Sequence, residues 1–75
     1  MLAVLFATSS LAQEGSWERL NAQAMDLHRQ KRDEEAVVIA QQALALAEKK
    51  FSPLSPKLAI AQTNLAEIYR ALGRD

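Results

Sequence analysis

The chain has no cysteine. That excludes disulfide staples, thiolate metal ligands and cysteine nucleophiles. Its two glycines, Gly15 and Gly73, stand far apart, so no glycine-rich loop can cradle a phosphate. A single histidine, His28, leaves no second imidazole for a metal set, and no Ser/His/Asp constellation is recognisable in the chain. Charge of one sign is lacking too: nine basic and nine acidic side chains cancel. No face is basic enough for a nucleic-acid footprint. No run alternates with period two over a strand's length, so no sheet is expected. Catalytic, cofactor-binding and metal-binding residues are therefore all expected to be absent.

What is present is helix-forming and apolar. Hydrophobic residues make up 49% and charged residues 24% of 75 residues, which is not a disordered composition. Much of the apolar share is alanine, which favours helix and close helix approach but buries little area per residue. A chain this short forms one small domain at most. It can bury only about 60% of its unfolded surface, so it is marginal alone.

The first twelve residues, MLAVLFATSSLA, carry no charged side chain, and Gln13, Glu14 and Gly15 follow at once. Leu2 to Leu11 has the length and character of a secretory h-region. Ser10-Leu11-Ala12 is a small-x-small end that places cleavage before Gln13. As a helix, twelve residues span roughly 18 Å, too short for a bilayer core of ~30 Å, so no stable membrane span is expected. No Lys or Arg precedes the apolar run. The alternative is an extra apolar helix packed on the first helical repeat. The signal reading makes residues 1–12 a signal segment, 13–16 a short linker, and the mature chain periplasmic or secreted. Without a signal the protein is cytoplasmic.

Three helices are expected in residues 17–75. The first runs from about Trp17 to Gln30, with Ser16 as cap and Glu18 in the first turn. Trp17, Leu20, Ala24 and Leu27 form its apolar stripe. The second runs from Asp33 or Glu34 to Lys50. Asp33 is its expected cap, Glu34 and Glu35 fill the first turn, and Lys49 and Lys50 fill the last. Its stripe is mostly small: Ala36, Ala40, Ala43, Leu44 and Ala47, with Val37, Leu44 and Phe51 on one flank. The connector Phe51-Ser52-Pro53-Leu54-Ser55-Pro56 is short and stiff, because proline cannot continue a helix. Leu54 or Phe51 is free to plug the helix junction. Ser55 followed by Pro56 is a helix start. The third helix runs from about Pro56 to Leu72, with a stripe of Leu58, Ala61, Leu65, Ile68, Tyr69 and Leu72. Ala59 and Ala66 are expected close-approach positions, and Gly73 a left-handed C-terminal cap.

Helix three repeats helix one. Ala24 and Ala66, Leu27 and Tyr69, Arg32 and Arg74, and Asp33 and Asp75 are each 42 residues apart. The run Asn64-Leu65-Ala66-Glu67-Ile68-Tyr69-Arg70-Ala71-Leu72-Gly73-Arg74, with Glu35-Ala36 and Ala43-Leu44 in the helix before it, resembles the tetratricopeptide repeat (TPR) family. The spacing exceeds the usual ~34 residues and, with its proline-containing link, is similar to the kinesin-light-chain-like variety. Helix one departs from the pattern: Gln23 stands for an apolar residue, Leu27 for the aromatic and Lys31 for the turn glycine.

The resemblance implies an all-α fold: an antiparallel helical hairpin plus a third helix, about one and a half repeats of an α-solenoid. It implies a non-catalytic protein–protein interaction scaffold, the N-terminal fragment of a longer array. Its partners would be a protein or peptide, with further repeats after Asp75 or self-association through helix three covering that helix's open side. The alternatives are the accessory region of an exported enzyme and a small self-associating helical protein. The resemblance places Asn21, Met25, His28 and Arg29 of helix one on the concave groove, with Thr63, Asn64, Glu67 and Arg70 of helix three. Read singly, His28 is a surface histidine, Glu34-Glu35 supplies helix-capping charge, Tyr69 belongs to the core and Trp17 is a lid over the first helix pair.

Overall fold

The computed structural model describes residues 17–73. The expected signal segment, linker and Ser16 cap, with Arg74 and Asp75, lie outside the described residues. Three helices follow in order: α1 (Trp17–Arg29), α2 (Asp33–Lys50) and α3 (Pro56–Ala71). Among the described residues there is no strand. The fold is the expected all-α hairpin plus a third helix, each helix ending within one residue of its expected end.

The alanine stripe of α2 is the floor on which both neighbours sit. Ala36, Ala40, Ala43 and Ala47 are all buried, as is Ala24 on α1. With only methyl groups at these positions the helix backbones come close, and the larger side chains pack along the flanks. One core joins Ala24, Ala36, Val37 and Ala40 to Leu65 and Ile68 of α3. Ile68 is the largest fully buried side chain. A second core joins Trp17, Ala47, Leu58 and Ala61. Trp17 is 5% exposed and shares its cluster with Ala47 of α2 and Leu58 and Ala61 of α3, so it is part of a core common to the three helices rather than a lid over the first pair alone.

Two local expectations need correction, and one open alternative is decided. Asp33 does not cap α2. Arg32 holds the cap position without a side-chain cap bond, and Asp33, already helical, turns back to His28. Ala59 and Ala66 are exposed, because no described helix lies against that side of α3. Of the two residues expected at the helix junction, Phe51 packs against the second core, while Leu54 is 94% exposed. The Phe51 ring meets Trp17 edge-on, with centroids 5.5 Å apart.

The other end signals act as their chemistry dictates. Ser55 Oγ accepts from the Lys57 backbone N–H at 3.2 Å, with Pro56 at the first helical position. Gly73 has φ 74°, the left-handed conformation in which a Cβ is strained. Lys31 adopts the same conformation at φ 65°.

Candidate functional site

The α1 half of the expected groove is largely committed to internal contacts. Asn21, Met25 and His28 are half-buried rather than clear of the packing stripe. Met25 packs against the first core. Asn21 Oδ1 is buried and has no hydrogen-bond partner among the described residues. Arg29 is exposed and donates from Nη2 to Asp26 Oδ1 at 3.0 Å.

His28 is not a plain surface histidine. Its Nδ1 lies 2.5 Å from Asp33 Oδ1. An ionised carboxylate only accepts, so the ring N–H donates. The pair spans the α1–α2 turn, with side chains 27% and 17% exposed.

The α3 half is different. Thr63 and Arg70 are exposed, and Asn64 and Glu67 are half-buried. None of the four makes a side-chain hydrogen bond or ion pair with another described residue. No such bond joins the α1 set to the α3 set. The two halves thus contrast: on α1, His28 and Arg29 are held by side-chain bonds and Met25 by packing, whereas the α3 set is uncommitted, with one cation, one anion and two hydrogen-bonding side chains.

Sequence reasoning missed a groove lined by α1, α2 and the turn between them. Leu27, Val38 and Ile39 form its apolar floor, with Gln23, Arg32, Glu34 and Glu35 around it and a volume of about 610 Å³. A smaller hollow of about 270 Å³ opens among Leu20, Gln42, Ala45 and Leu46. The available signal was Val38 and Ile39: neither belongs to the alanine stripe. Arg32 clamps Glu35 at this rim, donating from Nε at 2.6 Å and from Nη2 at 2.9 Å. That hydrogen bond, aided by the guanidinium's charge and opposed by desolvation, holds the Glu35 carboxyl below the usual carboxylate range. Glu35 thus pairs with a side chain as well as supplying charge to the first turn.

Tyr69 is half-buried and packed against the first core, and its hydroxyl accepts from Gln41 Nε2 at 2.8 Å. Its ring thus joins α3 to α2, with the polar end outside. Among the described residues no group of three His, Cys, Asp or Glu side chains could hold a metal ion. None of the described helices is long and apolar enough to cross a membrane.

Comparison with known proteins agrees with this architecture. No curated protein and no solved structure matches the chain. The tetratricopeptide repeat family model matches residues 18–75, which covers α1, the alanine-floored α2 and α3 together. The chain belongs to the tetratricopeptide repeat family.

Proposed function

We propose that this protein is a non-catalytic scaffold that binds a protein or peptide along the face formed by Asn21, Met25, His28 and Arg29 of α1 and Thr63, Asn64, Glu67 and Arg70 of α3. The supporting observation is the uncommitted α3 set: four polar side chains on one helix with no side-chain hydrogen bond or ion pair among the described residues. Asn64 can bond an extended peptide's backbone, and Arg70 can pair with a carboxylate. His28, fixed by Asp33, offers its remaining ring nitrogen at a set orientation.

The test is site-specific photocrosslinking in the native host, with the reactive residue at Thr63 or at Gln42 in the outer hollow. The proposal expects a partner captured from Thr63 and lost with Arg70→Glu. Capture from Gln42 alone would count against it.

A further helix on the open side of α3 belongs to the same reading. Ala24 is fully buried, whereas Ala66, its counterpart 42 residues on, is exposed. A helix from another repeat or a second copy would cover Ala66 as α2 covers Ala24. Light scattering distinguishes the two: a folded monomer excludes the second copy.

Export is also proposed, carried by the uncharged run 1–12 and its small-x-small end. Mass spectrometry of protein made in a secreting host tests it. A product starting at Gln13 supports export, and an intact Met1 on a cytoplasmic product refutes it.

A further inference from the structure

The α2–α3 turn is built unlike an ordinary solvent loop. Ser55 N–H donates to Ser52 carbonyl at 3.0 Å, closing a four-residue turn with Pro53 and Leu54 at its centre. Pro53 fixes its own backbone angle, and a second proline follows at Pro56. Such centres ordinarily carry Asn, Asp, Ser or Gly. Here the position holds Leu54, 94% exposed and the most exposed large hydrophobic side chain among the described residues. A stiff turn therefore holds an apolar side chain out in water.

Cations flank it in sequence. Residues 48–57 contain Lys49, Lys50 and Lys57 against a single carboxylate, Glu48. Lys50 Nζ and Lys57 Nζ lie 5.9 Å and 5.3 Å from the centroid of the Phe51 ring. The ring gathers both ammonium groups at the base of the turn, although like charges repel. Neither lysine forms an ion pair among the described residues. Unneutralised cations beside a projecting leucine match the chemistry of an anionic bilayer surface: headgroup phosphates for the ammonium groups, acyl boundary for the leucine.

We propose that the Lys50–Leu54–Lys57 tip docks this protein on anionic lipid surfaces. Docking is peripheral, weak and reversible, since one leucine and three lysines supply little affinity. It leaves the α1 and α3 face free for a protein partner and does not rest on the scaffold reading.

The full chain tests this. Because it has no cysteine, Leu54→Cys carries a polarity-sensitive fluorophore at the tip alone. Expected is a blue shift with phosphatidylcholine vesicles containing phosphatidylglycerol, absent with pure phosphatidylcholine and reversed by high salt. In vesicle sedimentation with unlabelled protein, Leu54→Ser lowers partitioning about tenfold or more. Lys50→Gln with Lys57→Gln lowers it at least about tenfold. Circular dichroism confirms that each variant keeps its helices; Leu54, almost fully exposed, has little packing to lose. Three results overturn the proposal: no blue shift, equal shifts on both vesicles, or sedimentation unchanged by the substitutions. The last would mean that residues 1–12 alone bind lipid. A response to soluble polyglutamate but not to vesicles would assign the tip to an acidic protein instead, and also overturns it.

Discussion

Lys31 and Gly73 occupy the same left-handed backbone conformation, at φ 65° and 74°, 42 residues apart in sequence. Each ends the turn after the first helix of a repeat. Glycine adopts this conformation without cost, whereas a residue with a Cβ is strained by about 1–2 kcal/mol. Lys31→Gly should therefore stabilise the protein by about 1 kcal/mol, read as a higher urea midpoint with an unchanged slope. Gly73→Ala should cost about as much, although a Cβ there meets nothing within 4 Å.

Core and open surface should separate cleanly on α3. Ile68 is fully buried between α1 and α2, so Ile68→Ala should cost about 2–5 kcal/mol. Ile60, 49% exposed on the same helix, should tolerate alanine within about 0.5 kcal/mol. Equal losses in chemical denaturation would show that Ile60 is covered in solution.

The Trp17–Phe51 edge contact should be measurable apart from burial. Phe51→Leu keeps an apolar side chain and removes the ring pair, for an expected loss of about 1 kcal/mol. Trp17 is the only tryptophan, so its fluorescence reports unfolding of the second core directly.

The His28–Asp33 bond ties α1 to α2 across their turn. A double-mutant cycle with His28→Ala and Asp33→Asn should return a coupling of about 1 kcal/mol. Near-zero coupling would mean that the pair does not form in solution.

The Arg32–Glu35 clamp predicts a pH dependence of known sign. Arg32 holds the Glu35 carboxyl below its ordinary 4.5. A depressed carboxylate stabilises the fold above the unfolded-state value, and the contribution disappears as pH falls through the folded value. Carbonyl NMR titration should place the Glu35 midpoint below the ordinary value, and Arg32→Gln should return it there. Both side chains are exposed, so the effect on overall stability is small.

How much the sequence revealed divides along physical lines. Helix ends and the buried stripes were legible because spacing fixes which side chains share a face: Ala24, Ala36, Leu65 and Ile68 all lie where the spacing puts them. The family was legible in the run from Asn64 to Arg74. Choices between equivalent neighbours were not. Nothing in the local pattern says that Phe51 rather than Leu54 turns inward, since that depends on where Trp17 arrives from α1. Nor does it say that Asp33 abandons the cap for His28, a contact set by the left-handed Lys31 between them. The outer groove was invisible because Val38 and Ile39 read as ordinary helical apolar residues until α1 crosses beside them.

A continuous face requires that α3 stack against the first hairpin, since only that stacking joins two repeats. Nuclear Overhauser contacts from the Trp17 indole test it most directly. Stacking predicts contacts to the methyl groups of Leu58 and Ala61 on α3 together with Ala47 on α2. Contacts to Ala47 alone, with none to Leu58 or Ala61, would contradict it.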